Sequence, residues 1–529
     1  MKELPTRPHL GHLKKQAKDL LSACRRFDAP ALARMRAALP AAANLDDAAI
    51  AAMDLRLHDA QSCVARDYGF RSWSLLKDYV DAKTASADSA QALRRRWMAW
   101  TFGAGYHPAK PSLAARILDE HPQLIAGDTA LACAVGDVAS VRQRVSVDIE
   151  WARTRGDAAA MSPLQCACFS GLIGLPAFAQ GIRACAGLLL AAGADVADPM
   201  IDPAFPDEPL SVLYAAAGRN HDAGLTRLLL QAGADPNDNE SLYHATEVED
   251  VECVRLLLEA GARVTGTNAL FRSLDFEHPR TTRLLLAHGG DPNEPGPLGS
   301  PLTHAIRRRR SAEVVRILLD AGADPSCCNA IGMSAYRLAL RMGLTEVAEL
   351  LRERGARIQN DDASAAFAVG EAFIGACARA DRAAAFAILA RNPGLIDAMS
   401  AEQLHVLPAL AAEGCDDAVR IMVEAGWPIT IRGGDIRGSA LNHAVFRGNS
   451  ELARFLLAHG ATYDERHAYN DNVYGTLSFA STAQANPDGD WLGCAKALIE
   501  SGAPIPDAHY VFVEEVAEYF AELRAAADG

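Results

Sequence analysis

A leucine-rich phrase recurs along this chain, and a glycine follows its apolar residues in each copy. Strong copies begin at Leu188, Leu228, Leu256, Leu284 and Leu318, and weaker copies at Leu350, Met422, Leu456 and Leu498. The glycines that mark them are Gly193, Gly233, Gly261, Gly289, Gly322, Gly355, Gly426, Gly460 and Gly502. Several separations lie near 33 residues, and a 71-residue gap predicts one hidden degenerate copy between Gly355 and Gly426. Such a period predicts a solenoid in which each unit packs against its neighbours.

Two copies keep the same spacing without a gap. Their shared positions are a serine, an alanine and two glycines: Ser334, Ala339, Gly343 and Gly355 in one, Ser439, Ala444, Gly448 and Gly460 in the other. Another copy begins Ser300-Pro301-Leu302. This pattern resembles the ankyrin repeat. The resemblance implies an all-α solenoid of stacked helix pairs with short β-hairpin fingers.

The spacing of apolar residues agrees with that fold. The leucine triplets lie at helical spacing and cover an arc too wide for one partner helix, so part of it must face the next unit. The closing glycine suits a left-handed helix end. Two 28-residue separations lack the length of a finger, so we expect no fingers from about Gly233 to Arg272. Residues 196–210 predict a long, acidic, proline-rich finger.

The first 85 residues do not repeat and predict a small helical module. Its L-K-K-Q-A-K-x-L-L and Y-G-F-x-S-W motifs resemble the N-terminal module of many bacterial ankyrin-repeat proteins, which implies a bacterial, cytosolic chain. We therefore expect a helical N-terminal module, two blocks of repeats and a C-terminal capping helix. Their predicted bounds are 1–85, 86–358, 359–506 and 507–529.

Charge and composition restrict the partners. A formal net charge of -14 repels phosphate backbones, so we expect no nucleic acid partner. There is no apolar run of membrane-spanning length and no apolar segment typical of a signal peptide, so we expect no membrane partner and a cytoplasmic location. The twelve scattered cysteines are typical of reduced thiols.

Motifs that carry chemistry are not found. The sequence has no phosphate loop, no H-E-x-x-H and no G-x-S-x-G, so we predict a non-enzyme without cofactor or metal. Asp235 starts like a calcium loop, but Glu240 and Thr246 stand where Gly and Glu are needed. The pairs Cys166/Cys168 and Cys327/Cys328 are interpreted as packed and incidental thiols, with a redox-sensitive or soft-metal site as the alternative.

Candidate partner-binding residues lie on the predicted first helices and fingers. The run Arg307, Arg308, Arg309 and Arg310 is either a solvated turn or an anchor for an acidic partner surface. The predicted concave face adds further cations, and the later fingers add aromatic residues that either anchor a partner or pack against a neighbouring finger. The complete candidate set is His244, Arg272, His304, Arg307, Arg308, Arg309, Arg310, Arg341, His443, Trp427 and Tyr474.

The sequence therefore favours a protein-interaction scaffold that binds a partner on the concave face and fingers, and the cations there favour a partner with an acidic surface. Three alternatives stay open: an enzyme or regulator with an unrecognised site in the module or insertions, a self-associating chain, and an exported effector that binds host proteins. Fold alone names no partner, because one scaffold carries many functions.

Overall fold

A computed structural model describes the chain apart from a small set of residues. These are 1, 3, 6, 7, 40, 41, 44, 54, 56, 71, 86–88, 104–107, 155–160, 203, 204, 358–364, 484, 485, 487, 528 and 529. The described part forms two compact units, one of residues 1–216 and 224–234, the other of 217–223 and 235–529. The expected boundary between residues 358 and 359 lies outside the described residues, and those at 85 and 506 stay predictions.

The first unit begins with five helices around their own apolar core. They are α1 (Leu10–Arg25), α2 (Ala29–Ala38), α3 (Asp47–Ala52), α4 (Leu57–Asp67) and α5 (Trp73–Ala85). Leu13, Ala17 and Leu20 bury one face of α1, as the amphipathic pattern predicts. Gly69 has a φ of 85° and permits the reversal between α4 and α5. The predicted helices of this module are therefore confirmed.

The rest of the first unit contains helix pairs and one hairpin. Its elements are α6 (Ala90–Phe102), α7 (Pro111–Glu120), α8 (Thr129–Val135), α9 (Val138–Val147), α10 (Pro163–Cys168), α11 (Pro176–Ala191), β1 (Met200–Asp202), β2 (Phe205–Leu210), α12 (Val212–Tyr214) and α13 (Ala223–Gln231). β1 and β2 are antiparallel, with Met200 opposite Leu210. This hairpin confirms the long finger expected over 196–210.

The second unit is a succession of helix pairs that ends in a final helix. Its elements are α14 (Ser241–Ala245), α15 (Glu252–Glu259), α16 (Ala269–Ser273), α17 (Pro279–Ala287), α18 (Pro301–Arg307), α19 (Ala312–Asp320), α20 (Ala335–Arg341), α21 (Thr345–Glu353), α22 (Ala365–Ala378), α23 (Arg382–Arg391), α24 (Ala401–Leu404), α25 (Val406–Ala412), α26 (Asp416–Glu424), α27 (Ala440–Phe446), α28 (Ser450–Ala458), α29 (Val473–Ala483), α30 (Trp491–Glu500) and α31 (Glu514–Ala527). The pair α22 and α23 is the degenerate copy hidden in the 71-residue gap.

Local chemistry explains these helix pairs. Ser334 and Ser439 cap α20 and α27 by accepting a hydrogen bond from the backbone N–H three residues later. The nine marker glycines all have φ between 85° and 98°, a left-handed conformation in which a Cβ is strained. Leu318 and Leu351 are fully buried, as the leucine phrase requires. The repeat pattern therefore fixes both the ends and the buried faces of these helices.

Short fingers precede several first helices of the second unit. Isolated antiparallel bridges join Gly296 to Gly299, Cys328 to Ser334, and Gly433 to Gly438. The connections over 232–240 and 260–268 contain turns and bends without a bridge. The predicted stretch without fingers is therefore confirmed. None of the described helices combines the length and apolarity needed to span a bilayer.

Candidate functional site

The predicted cations of the second unit gather at the carboxyl ends of its first helices. His244, Arg272, Arg307 and Arg341 lie in the last turns of α14, α16, α18 and α20. Acidic residues follow α14 and α16 in the sequence, and others come from α22 and from the finger before α27. The contacts therefore place these side chains beside carboxylates of their own or another repeat.

The first group of charges surrounds Glu247. Its carboxylate accepts hydrogen bonds from Arg272 Nε at 3.0 Å and Nη2 at 2.7 Å, and from His244 Nδ1 at 2.9 Å. Burial raises the pKa of Glu247, but these donors outweigh burial and lower it. Arg272 also donates to Asp275 at 3.1 Å and lies over the Tyr243 ring. Both side chains are thereby engaged within the chain.

A second group is organised by His304. Its Nε2 lies 3.0 Å from Asp275 Oδ1, and its Nδ1 lies 3.3 Å from Arg307 Nη2. Because a guanidinium can only donate, Nδ1 must accept and the proton stands on Nε2. Burial lowers the pKa of His304 despite the neighbouring carboxylate. His304 is thus a neutral side chain that donates to Asp275.

Arg307 and Arg308 reach carboxylates far away in the sequence. Arg307 donates to Asp435 Oδ1 at 2.8 Å, and Arg308 donates to Asp435 Oδ2 at 2.5 Å. Arg308 also contacts Asp275 at 2.8 Å and Glu413 at 3.1 Å. Burial raises the pKa of Asp275, but the hydrogen bond from His304 and the charge of Arg308 outweigh it and hold this pKa below its usual range. These ion pairs join the end of α18 to the end of α25 and to the finger before α27.

The other two arginines of the run are also engaged. Arg309 has a φ of 56° in the turn after α18, and its guanidinium donates to the Met342 carbonyl. Arg310 donates to the Arg308 carbonyl and lies within 4.0 Å of Glu413. The run is therefore a turn held by internal contacts.

Arg341 and His443 are buried. Arg341 binds both oxygens of Glu371 and one oxygen of Glu402, and its side chain is 5 % exposed. His443 Nε2 donates to the Gly433 carbonyl at 2.8 Å and so supports the finger before α27. Among the predicted histidines and arginines, these two are buried.

The structure pairs most of the predicted cations of this face with carboxylates of the same chain. Arg309 and His443 instead donate to backbone carbonyls. A role in partner binding stays a prediction for these residues, and the observed contacts give them a structural role.

Trp427 and Tyr474 are corrected from surface anchors to core residues. Trp427 is 3 % exposed, donates from Nε1 to the Leu404 carbonyl and stacks on Phe373. Tyr474 is 2 % exposed and donates to the Pro504 carbonyl at 2.8 Å. Trp427 stands where other copies carry a buried alanine such as Ala323 or Ala461.

Exposed apolar side chains occur instead at the fingertips. Leu298, Ile331 and Tyr469 are 55 %, 63 % and 78 % exposed, and Ile436 is half-buried at the equivalent place. Backbone hydrogen bonds link the tips in pairs: Ala330 N–H donates to the Leu298 carbonyl, and Ala468 N–H to the Ile436 carbonyl. Neighbouring tips thus present apolar side chains side by side.

The fingertip residues share a backbone feature that the repeat period does not reveal. Each apolar residue immediately precedes a residue with positive φ, and those following residues are Gly299, Gly332, Arg437 and Asn470. A positive φ is typical of a tight turn.

Catalytic or metal-binding geometry is not seen in the described part of the chain. No group of three or more potential ligands there is placed to hold a metal ion. Cys166 and Cys168 are fully buried, and burial raises the pKa of both thiols. Cys327 is half-buried and accepts a hydrogen bond from Ser300, while Cys328 is exposed. Buried thiols with raised pKa are poor nucleophiles.

Comparison with known proteins addresses the repeats. The family described as ankyrin repeats (3 copies) matches residues 212–296 and 270–362. The crystal structure of the human ASB11 ankyrin repeat domain is similar at 22 % identity, over 44 % of this chain and 100 % of that chain, with a TM-score of 0.35. No curated protein matches the sequence. The family match begins at residue 212. The bacterial source and the resemblance of the first 85 residues to a bacterial module therefore stay predictions. With its helix pairs, marker glycines and fingers, this chain is an all-α protein that contains ankyrin repeats.

Proposed function

We propose that this chain is a non-catalytic scaffold that binds a partner protein through the fingers of its second unit. Ankyrin repeats generally mediate protein–protein interaction. The observation that carries the proposal is the row of exposed apolar fingertip residues. Leu298 and Ile331 lie on tips joined by a backbone hydrogen bond, so together they form one apolar contact. Residues of this kind supply the central contacts of protein interfaces.

The paired cations of the first-helix face support the fingers in this proposal. His443 and the Arg307–Asp435 pair fix the finger before α27, so that it is presented without a large loss of entropy on binding. A rigid surface that is already in its binding conformation needs no chemistry to select a partner.

The test compares matched apolar variants of the full chain. The finger variant is L298S with I331S, and the control is V147S with I149S, which removes two exposed apolar side chains elsewhere, at 76 % and 56 % exposure. Proteins retained by each immobilised chain from a native lysate are identified by mass spectrometry, and the affinity of each purified partner is then measured by calorimetry.

We expect the control to retain the partner and the finger variant to lose it, with a dissociation constant raised about tenfold or more. Equal retention by both variants contradicts the assignment to the fingers. Sedimentation of the purified chain at a mass above that of one copy, abolished by the finger variant, indicates instead that the partner is a second copy of the chain.

A further inference from the structure

A second feature of the fingers is an uneven distribution of charge. Two adjacent fingers contain residues 433–438 and 467–471. Arg432 and Arg466 come immediately before these ranges, and Arg437 lies at the tip of the first finger. All three side chains are exposed. With Tyr469 they form what we call the basic fingertip patch.

The arginines of this patch have no acidic partner among the described residues. Arg432 Nε donates to the Arg437 carbonyl at 3.1 Å, and Arg466 Nη1 donates to the Asn470 carbonyl at 2.7 Å. Carbonyl oxygens carry only partial charge and do not neutralise a guanidinium. The patch therefore keeps its positive charge, although the whole chain carries a formal net charge of -14.

The acidic residues of the same fingers are engaged elsewhere. Asp435 binds Arg307 and Arg308. Asp471 accepts a hydrogen bond from the Tyr510 hydroxyl at 2.6 Å. Of the acids in these fingers, Asp464 alone is both exposed and without an arginine, and it accepts from the Thr462 hydroxyl.

Glu465 adds little negative charge to the surface. It is 9 % exposed and accepts a hydrogen bond from the Thr462 N–H at 2.8 Å. Burial raises the pKa of its carboxyl. The three exposed guanidinium groups therefore outnumber Asp464 and Asp471, the two carboxylates of these fingers that bind hydroxyl groups and no arginine.

The tips also fix the spacing of the patch. The Ala468–Ile436 hydrogen bond of 2.9 Å holds one tip against the other, so Arg437 and Tyr469 flank the same junction. A ring that is 78 % exposed beside cations offers an apolar face next to charge. Aromatic and arginine side chains together are typical of the central part of protein interfaces.

We infer that the basic fingertip patch binds an acidic segment of the partner protein, whose carboxylates pair with Arg432, Arg437 and Arg466 while an apolar side chain covers Tyr469. This inference rests on the proposed scaffold function and adds the chemistry of the partner. A guanidinium matches the geometry of a carboxylate and pairs with it through two hydrogen bonds. A nucleic acid fits less well, because its backbone presents a long run of phosphates and the patch supplies only three cations.

The test measures the anisotropy of a short fluorescent peptide of alternating glutamate and leucine, titrated with the full chain. The patch variant is R432E with R437E and R466E. The matched control is R280E with R316E and R391E, three exposed arginines of the second helices α17, α19 and α23. The two variants carry the same net charge, so a difference between them reports position and not total charge.

We expect the patch variant to bind the peptide at least about tenfold more weakly than the control. Binding by the parent should also weaken as salt is added. Equal affinities of the two variants, or no binding by the parent, overturn the inference. Tighter binding of a single-stranded oligothymidylate than of the peptide overturns the choice of an acidic protein segment. If the peptide test fails but Leu298 and Ile331 are still needed to capture a partner, the scaffold function is retained. The two proposals can therefore fail separately.

Discussion

Two sets of arginines in the second unit differ in what surrounds them. Arg307, Arg308 and Arg341 bind carboxylates from other repeats, whereas Arg432 and Arg466 bind only carbonyls of their own fingers. The first set is half-buried or buried, and the second is exposed. Clustered positive charge in a sequence therefore does not identify a binding surface. Exposed cations without a carboxylate partner are the better indicator.

The largest effect is expected where the paired set is most deeply buried. In R341L, Glu371 and Glu402 lose the guanidinium that binds them, and Glu371 is left in a largely buried site. We expect the free energy of unfolding to fall by about 3–5 kcal/mol, measured by urea denaturation. The double variant R341L/E371L should recover part of this loss. A fall no larger than that of R352L, an exposed arginine paired with Glu349, contradicts a structural role for Arg341.

A smaller effect is expected at the carboxylate that several cations share. In D275A, His304 and Arg308 lose a hydrogen-bonded acceptor and Arg272 loses one of two. We expect a loss of about 2–3 kcal/mol in the same assay. D320A removes an exposed carboxylate paired with Arg354 and serves as the control, with less than about 1 kcal/mol expected. Similar losses for both variants indicate that Asp275 is no more than a surface charge.

Acidification should lower the free energy of unfolding gradually. Burial lowers the pKa of His304 and of His443, so the unfolded chain takes up their protons first as the pH falls. The stability they contribute is complete above about pH 6.5 and is lost as the pH falls toward their folded pKa values, by at most about 1.4 kcal/mol per histidine for each pH unit. Urea midpoints measured across this range should decrease on acidification. H443Q keeps a donor for Gly433 but does not titrate, so it should make the free energy of unfolding depend less on pH. An unchanged slope contradicts the contribution of His443.

The smallest effect on stability is expected for the exposed arginines of the fingers. R432A combined with R437A and R466A removes no ion pair among the described residues, so we expect the free energy of unfolding to change by no more than about 0.5 kcal/mol. A loss as large as that of D275A indicates that the finger arginines support the fold, and it removes the distinction between the two sets.

Much of the fold could be predicted because it depends on the spacing of residues that are close together in the sequence. The marker glycines, the capping serines and the short 28-residue units each depend on a few neighbouring residues. Each therefore predicted a positive φ, a helix start or a connection without a finger. The buried aromatics were also within reach. Trp427 follows a marker glycine, where other copies carry a buried alanine such as Ala323 or Ala461.

The charges of the site could not be predicted in the same way. Asp435 lies 128 residues from Arg307, and only folding brings the two together. The sequence places His304 and Arg307 on one helix face but gives no sign that Asp275 and Asp435 will neutralise that face. The fingertip residues were missed because a lone apolar residue in a loop gains meaning only when neighbouring tips align.

The Arg307–Asp435 contact changes how this part of the chain should come apart. A solenoid behaves as a one-dimensional stack, so units at an end can melt while the others persist. Here α18 is tied to the finger before α27 across the intervening pairs α20/α21, α22/α23 and α25/α26. Those three pairs lie inside a closed loop of the chain, and none can unfold and swing away without straining or breaking the tie. The segment from α18 to α27 should therefore melt as one cooperative block, and its hydrogen exchange should follow a single opening free energy.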